Sequence, residues 1–309
     1  MTEFDYKYFS MLNTSGGATS LGAKVIVFGA AGQLGQCLKA AAEARNIKNI
    51  SFLPEHAADI LDQDQVAKVF AEEMPAFVVN CAAYTAVDKA EDEPSIARKI
   101  NRDGVANIAT ACRSHQATLI HISTDFVFEG STPVALTEND LTKPVNIYGL
   151  TKLQGEAVLA GMIHKYFILR TSWLYSEYGN NFVKTIQRLG REREELSVVF
   201  DQVGTPTYAV DLAHVILDII QSGSQDYGVY HYSNEGVASW YDFARAVLDL
   251  SEISTNLKPV KSSEYRTKAE RPHFSVMDKT KIKSTFGVSI PYWRDSLETC
   301  IARLRDLQA

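Results

Sequence analysis

Short apolar runs alternate with longer stretches of helical periodicity over the first half of the chain. The first run, at 25–28, is apolar at every position, as expected of a strand buried on both faces. The same pattern predicts, in chain order, a helix ending near residue 45, a strand at 50–53, a helix at 63–73, a strand at 77–80, a helix at 94–115, a strand at 119–123, a helix at 146–163 and a strand at 166–170. Alternating strands and helices predict an α/β fold, a doubly wound parallel sheet with right-handed crossovers.

The alternation weakens after about Ser172. Strand-like runs at 196–200 and 229–232 then mix with predicted helices at 181–189, 210–221 and 240–250. This pattern predicts a smaller C-terminal substrate lobe that covers the carboxyl edge of the sheet. We therefore expect a nucleotide-binding domain at 23–175 and a mainly substrate-binding lobe at 176–309, with some segments of the lobe returning to the first domain. Residues 1–22 are expected to form a flexible tail.

Composition and charge narrow the choice of partners. The 309 residues are 46% hydrophobic and 22% charged, with a formal net charge of −6 and no basic run. Nucleic acid and an anionic membrane are therefore not expected partners. No apolar stretch reaches the roughly 18 residues that a membrane span needs. The four cysteines show no metal-ligand spacing, which indicates reduced thiols and a cytoplasmic location. Composition leaves the choice between monomer and homodimer open.

A glycine-rich turn directly follows the first predicted strand. Gly29, Gly32 and Gly35 form a G-x-x-G-x-x-G pattern at the start of a predicted helix. Positions without side chains let the backbone approach a pyrophosphate at the helix N-terminus. Between a buried strand and a helix, this turn predicts a dinucleotide site.

The region after the second strand bears on which dinucleotide binds. Asp59 and Ile60 offer a hydrogen bond and an apolar contact to an adenine, although an exposed loop Asp is an equal alternative. Pro54 stands where an acid would hold the ribose 2′-hydroxyl, and no nearby Arg would meet a 2′-phosphate. The sequence therefore predicts NADPH or NADH without choosing between them.

Tyr148 and Lys152 supply the candidate chemistry. Four residues apart on a helix, their side chains share one face. An ammonium beside the phenol is expected to lower the tyrosine pKa from about 10 toward the working range. Thr124 adds a hydroxyl at the end of a buried strand. Together the three predict an acid–base relay for reduction of a carbonyl.

Several blocks, in this order, resemble the dTDP-4-dehydrorhamnose reductase family of the extended short-chain dehydrogenase/reductase superfamily. The resemblance covers about residues 24–305. Its motifs here are Gly29-x2-Gly32-Gln33-Leu34-Gly35, Asn80-Cys81-Ala82-Ala83-Tyr84-Thr85-Ala86-Val87-Asp88, Ser123-Thr124-Asp125-Phe126-Val127-Phe128, Tyr148-Gly149-x2-Lys152-x2-Gly155-Glu156, Arg170-Thr171-Ser172-Trp173-Leu174-Tyr175, Gly179-Asn180-Asn181-Phe182, Asp201-Gln202-Val203-Gly204-Thr205-Pro206-Thr207 and Arg271-Pro272. The glycine turn and the Tyr/Lys pair identify only the superfamily, whereas the Ala-Val-Asp, Arg-Thr-Ser-Trp and Asp-Gln-x-Gly-x-Pro-Thr blocks are specific to the family.

The resemblance implies a Rossmann-type fold and a role for each matching residue. Tyr148 would be the general acid, Lys152 would bind the nicotinamide ribose and tune Tyr148, and Thr124 would bond the substrate carbonyl or adjust the tyrosine. The remaining assignments are Gly32, Gln33 and Leu34 to the pyrophosphate, Asp59 and Ile60 to the adenine, Ala83, Tyr84 and Thr85 to the centre of the cofactor, and Asp125 and Trp173 to the deoxysugar. Asn101 matches an asparagine that supports the lysine, with helix packing as an equal alternative.

Arg271 is our candidate for the cation that meets the substrate diphosphate, with an ion pair to Glu270 or Asp278 as the alternative. Phe126 replaces a frequent tyrosine of the family. Some family members bind magnesium through glutamates, whose positions are Cys37 and Val210 here, so no metal is expected.

The expected activity is NAD(P)H-dependent reduction of a nucleotide sugar at its 4-keto group, most specifically dTDP-4-dehydro-L-rhamnose. Two alternatives remain open. One is a reductase or epimerase of another nucleotide sugar, which would use the same three residues. The other is a non-catalytic regulatory subunit resembling the beta subunit of methionine adenosyltransferase.

Overall fold

The computed structural model describes residues 22–307, so the predicted tail lies outside the described residues apart from Gly22. The strands are β1 (Val25–Phe28), β2 (Ile50–Leu53), β3 (Phe77–Asn80), β4 (Thr118–Thr124), β5 (Tyr166–Thr171), β6 (Leu174–Tyr175), β7 (Glu195–Val199), β8 (Val203–Gly204), β9 (Thr207–Tyr208), β10 (Gly228–His231), β11 (Ala238–Ser239) and β12 (Asn256–Val260). The α-helices are α1 (Gln33–Ala44), α2 (Gln63–Glu73), α3 (Val87–Ala90), α4 (Pro94–Arg98), α5 (Val105–His115), α6 (Ile147–Met162), α7 (Phe182–Glu192), α8 (Ala209–Ser222), α9 (Trp240–Leu250), α10 (Thr280–Phe286) and α11 (Trp293–Asp306).

A six-stranded parallel sheet, in the order β10-β5-β4-β3-β1-β2, forms the centre of the fold. The chain moves outward from β1 to β2 and then crosses to β3 on the other side of β1. In such sheets a crevice opens where the strand order reverses, at the carboxyl ends of the strands. The predicted doubly wound α/β fold is confirmed, and the crevice lies between the loops that follow β1 and β3.

Strand β1 shows why an uninterrupted apolar run predicts a central strand. Val25 and Val27 pack into the hydrophobic core on one side of the sheet, and Ile26 and Phe28 pack into the core on the other. All four side chains are fully buried. Burial of a Val, Ile or Phe side chain is worth about 1.5–3 kcal/mol, so the two covered faces together fix this strand at the centre.

Part of the C-terminal half of the chain contributes to this sheet. Strand β10 extends the sheet by pairing with β5, and helix α8 packs against α1. Two further parallel strands, β7 and β12, form a separate pair. Across residues 22–307, no helix is both long and apolar enough to cross a bilayer.

The helix predicted at 94–115 is not one continuous α-helix. A π-helical segment at Lys99–Gly104 separates α4 from α5. At its end, a Cβ on Gly104 would lie 2.5 Å from Ile60 Cδ1, so this turn packs directly on the segment after β2. Single π-helical turns occur often at functional sites, and this one carries the buried Asn101.

Candidate active site

A cavity of about 970 Å³ opens at the carboxyl ends of the strands, a size suited to small molecules or cofactors. Its walls come from the glycine turn, the residues after β3, the ends of β4 and β5, helix α6 and the loop at 265–271. The predicted site residues in its lining are Gly32, Gln33, Leu34, Ala83, Thr85, Thr124, Asp125, Tyr148, Lys152, Trp173 and Arg271. The fold therefore brings residues predicted from widely separated motifs into one cavity.

The glycine turn has a geometry that only glycine permits at two positions. Gly29 has a φ of 72°, and a Cβ there would lie 2.5 Å from the backbone nitrogen of Ala82. A Cβ on Gly35 would lie 2.5 Å from the Gly29 carbonyl oxygen. The turn can therefore fold tightly and sit against the loop after β3.

The N-terminus of α1 opens on the cavity at Gly32, where no side chain caps the first backbone N–H groups. Such unpaired N–H groups and the helix dipole favour an anion. This turn fits the pyrophosphate of a dinucleotide.

Lys152 is buried where the cavity meets β4. Its ammonium donates to the Ile122 carbonyl oxygen at 2.6 Å and lies 3.4 Å from His121 Nε2. Burial lowers the pKa of Lys152 to about 8, while the Glu156 carboxylate acts to raise it. The lysine is thus fixed by the strand backbone and has a pKa near neutrality.

Tyr148 and Thr124 are brought together by a close approach of α6 to the segment after β4. Asn146 begins the helix by accepting the Gly149 N–H at 2.8 Å, and any Cβ on Gly149 would collide with the Phe126 carbonyl. The Thr124 hydroxyl lies close enough to the Tyr148 phenol to act on its pKa. The contact therefore depends on the small residue directly after the tyrosine.

The expected lowering of the Tyr148 pKa is wrong for this structure. Burial raises the pKa of Tyr148 to about 12, the neighbouring Thr124 hydroxyl opposes that rise, and the charge of Asp125 adds to it. The Lys152 ammonium faces the Ile122 carbonyl. A phenol in this state keeps its proton at neutral pH, so it does not act as a base there.

Asp125 continues this polar row. Its Oδ1 accepts the Thr124 hydroxyl at 3.1 Å, and the residue is 1% exposed. Burial raises the pKa of this carboxyl to about 6. The hydroxyls of Ser275 and Thr124 act in the opposite direction and lower it. Thr124 and Asp125 are therefore joined by a hydrogen bond at the cavity wall, beside Tyr148.

Arg271 pairs with a different acid from those we expected. Its two terminal nitrogens donate to the two Asp88 carboxylate oxygens at 2.8 and 2.6 Å, so Glu270 and Asp278 are the wrong partners. Asp88 also accepts the backbone N–H groups of Lys268 and Ala269, each at 3.0 Å. The Ala-Val-Asp motif thus anchors the loop that carries Arg271 at the cavity mouth.

Several predicted cofactor residues lie outside the cavity lining. Gly29 and Gly35 pack against neighbouring backbone and allow the tight turn, but they do not line the cavity. Asp59 accepts the Leu61 N–H at 2.8 Å, and the Ile60 side chain is 6% exposed in the core. The Tyr84 hydroxyl donates to Glu93 at 2.9 Å. The assignments of these residues to the cofactor remain predictions.

Asn101 hydrogen-bonds to the main chain of Tyr84, in the loop after β3. Its Oδ1 accepts the Tyr84 N–H at 2.9 Å, and its Nδ2 donates to the Tyr84 carbonyl and to Thr151 Oγ1, each at 3.1 Å. This asparagine therefore ties the loop after β3 to helix α6.

The sequence analysis assigned no site role to three residues that contact the predicted ones. His121 touches Lys152, Asp88 holds Arg271, and Trp240 stacks on Trp173. His121 could have been predicted as a site residue, because it is a polar residue inside an otherwise apolar strand. The other two contacts join residues 183 and 67 positions apart, so no local spacing could reveal them.

The two positions that matched magnesium ligands of the family are core positions here. Cys37 is fully buried and Val210 is 3% exposed. Across residues 22–307, no three His, Cys, Asp or Glu side chains are grouped to hold a metal ion.

A doubly wound sheet, a glycine turn between β1 and α1, and a Tyr/Lys pair beside a strand-end threonine define a protein of the short-chain dehydrogenase/reductase type. Comparison with known proteins narrows this class. The family model described as the RmlD substrate binding domain matches residues 23–306.

Two similar relatives carry the name dTDP-4-dehydrorhamnose reductase. The protein from Aggregatibacter actinomycetemcomitans is 38% identical over 89% of this chain and 97% of its own length. The protein from Sinorhizobium fredii is 40% identical over 88% of this chain and 95% of its own length. A crystal structure of dTDP-4-dehydrorhamnose reductase from Bacillus anthracis, in complex with NADP, has a TM-score of 0.87 and 40% identity, covering 91% of this chain and 99% of that one. The chain belongs to the dTDP-4-dehydrorhamnose reductase family.

Proposed function

We propose that this protein reduces the 4-keto group of dTDP-4-dehydro-L-rhamnose to a hydroxyl, with NADPH or NADH as the reductant. The observation that carries the proposal is the convergence of Tyr148, Thr124 and Lys152 on one cavity that also holds the glycine turn. The relatives named dTDP-4-dehydrorhamnose reductase and the NADP complex of a similar structure support the substrate and the cofactor.

The glycine turn and the uncapped N-terminus of α1 would hold the cofactor pyrophosphate, and Lys152 would hold the nicotinamide ribose. When bound, the reduced nicotinamide supplies a hydride to the C4 carbon of the sugar. Tyr148 donates its proton to the carbonyl oxygen, so that the C=O bond becomes CH–OH. Thr124 lies beside the phenol, where its hydroxyl can orient the Tyr148 hydroxyl or the substrate carbonyl.

The two carboxylates of the site have separate roles in this proposal. Asp125 holds Thr124 and faces the cavity, where it can accept a sugar hydroxyl. Asp88 fixes the loop that presents Arg271 toward the diphosphate.

Loss of the nicotinamide absorbance with NADPH and with NADH, measured over a panel of 4-keto-6-deoxy nucleotide sugars, tests the proposal. The account predicts stoichiometric oxidation of the cofactor and formation of dTDP-L-rhamnose. An epimerase returns its hydride to the sugar, so sugar conversion without net oxidation would indicate that alternative. Cofactor binding without turnover of any sugar would indicate a non-catalytic subunit.

A further inference from the structure

Trp173 projects from a backbone conformation that side chains rarely adopt. It lies between β5 and β6 with a φ of 46°, in the left-handed region. Its carbonyl accepts the Thr207 N–H at 3.2 Å, and the neighbouring Ser172 hydroxyl donates to the Thr205 carbonyl at 2.7 Å. The backbone is therefore held from the β8–β9 segment, and the indole is part of the cavity lining.

A second tryptophan covers this indole. Trp240, the first residue of α9, stacks on Trp173 with ring centroids 3.6 Å apart and planes inclined by 8°. Ser239 and Asp242 fix the start of α9 by reciprocal capping, and Phe182 packs against Trp240 with centroids 4.7 Å apart. Trp240 is therefore held by its own helix and by α7, and it also lines the cavity.

Backbone packing against the indole completes the enclosure. A Cβ on Gly204 would lie 2.8 Å from Trp173 Cε2, so the β8 backbone rests against the six-membered ring. With Trp240 on one face and Gly204 against the ring, Trp173 has little freedom to rotate. Only part of the indole remains for a ligand.

We propose that Trp240 is a positioning residue that fixes the indole of Trp173 and thereby sets the shape of an apolar subsite for the 6-deoxy end of the sugar. The inference rests on the proposed function. A stacked pair of indoles presents a wall that favours a methyl group and rejects a hydroxyl left without a hydrogen-bond partner. Trp240 acts on the sugar through Trp173.

The chain offers a matched control in Trp293. This residue belongs to the same aromatic cluster, because it packs edge-on against Phe243 at 5.9 Å, and Phe243 in turn contacts Trp240. Trp293 is 5% exposed and is not part of the cavity lining. Its replacement by Phe therefore disturbs the cluster without changing the cavity wall.

The test measures KM for the nucleotide sugar, KM for NADPH, kcat and Tm in Trp240→Leu, Trp240→Phe and Trp293→Phe. We expect Trp240→Leu to raise KM for the 6-deoxy sugar nucleotide at least tenfold while KM for NADPH stays within twofold. We also expect its preference for 6-deoxy over 6-hydroxy 4-keto substrates, compared as kcat/KM, to fall at least fivefold. Trp240→Phe keeps an aromatic face and should restore KM to within threefold, and Trp293→Phe should leave the preference unchanged.

A double mutant distinguishes positioning from direct contact. In a Trp173→Ala background, Trp240→Leu should change KM for the sugar less than twofold, because coupled residues are not additive. Full additivity, an unchanged sugar preference in Trp240→Leu, or a parallel rise of both KM values with a large loss of Tm would each overturn the inference. If the unmodified protein reduces no 4-keto-6-deoxy sugar nucleotide, the proposed function fails and the inference fails with it. If the unmodified protein is active and the Trp240 variants keep its KM and its sugar preference, the inference alone is wrong.

Discussion

Arg271 and Asp88 form a two-pronged ion pair across the mouth of the cavity, with nitrogen–oxygen distances of 2.8 and 2.6 Å. The Arg271 guanidinium lowers the pKa of Asp88 to about 2, so the pair stays charged at neutral pH. An arginine held in this way is presented in one orientation, and the planar guanidinium keeps further N–H donors for a phosphate.

We expect Arg271→Ala to raise KM for the nucleotide sugar about tenfold while kcat falls less than threefold. The reason is that Arg271 is proposed to bind a diphosphate remote from the reacting carbonyl, and such a contact stabilises ground and transition states alike. Asp88→Ala should act in the same direction by releasing the loop.

Asp92→Asn is the matched control, because Asp92 pairs with Lys268 on the same loop but both side chains are more than half exposed. Initial-rate kinetics should show it unchanged. An unaltered KM in Arg271→Ala would remove this residue from the substrate site.

The pKa of Lys152 predicts how kcat/KM changes at alkaline pH. Its pKa of about 8 means that the ammonium loses its proton as pH rises through 8. If the charged form is the active one, kcat/KM should fall about tenfold for each pH unit above that value. The buried lysine binds fewer protons than an unfolded one between about pH 8 and 10.4, so its own contribution to stability rises over the same window.

Activity should therefore decline in that window while Tm, followed by circular dichroism, shows no loss from this group. A kcat/KM that stays flat to pH 10 would show that the Lys152 charge is not needed.

The cofactor site predicts weak discrimination between NADH and NADPH. Pro54 cannot exclude a 2′-phosphate by charge, and the neighbouring Glu55 is exposed. We expect specificity constants that differ less than tenfold, equivalent to about 1.4 kcal/mol. A thousandfold preference for NADH would identify Glu55 as the recognising residue, and Glu55→Ala would then be expected to remove it.

Chelation should leave activity intact. The positions that matched magnesium ligands carry a buried thiol, Cys37, and a buried apolar side chain, Val210, and magnesium prefers oxygen ligands. Rates after EDTA and after added magnesium are expected to agree within twofold. A loss of activity on chelation that magnesium restores would contradict the expectation.

The sequence predicted strands best where the side chains on both faces of the strand are buried. Strands β1 and β3 lie at the positions predicted from their apolar runs, because a central parallel strand is buried on both faces. The edge strand β2 also lies where predicted, although its residues are only partly buried. β12 was not predicted, since its outer side chains are largely exposed and it contains Lys258 and Pro259. The π-helical turn within the helix predicted at 94–115 was also missed, because its six residues are too few for a change of helical period to be read from the sequence.

In the candidate site, most residues were predicted from their motifs, whereas side-chain contacts between distant motifs were not. Tyr148 and Lys152 share one helix, and Thr124 ends the adjacent strand. The Trp173–Trp240 stack depends on where the fold places α9, 67 residues along the chain. The Tyr148 pKa was predicted in the wrong direction because burial, which spacing does not reveal, raises it, and the Asp125 charge adds to the rise.

Replacement of Tyr148 by Phe tests the central claim most directly, because it removes one hydroxyl and keeps the ring that packs edge-on against Phe126. Single-turnover kinetics with saturating cofactor, together with the Kd for NADPH, separate chemistry from binding. The account predicts that Tyr148→Phe lowers the rate at least about a hundredfold while the Kd for NADPH changes less than twofold. A Tyr148→Phe rate within a few-fold of the parent, with the same Kd, would show that Tyr148 is not the proton donor.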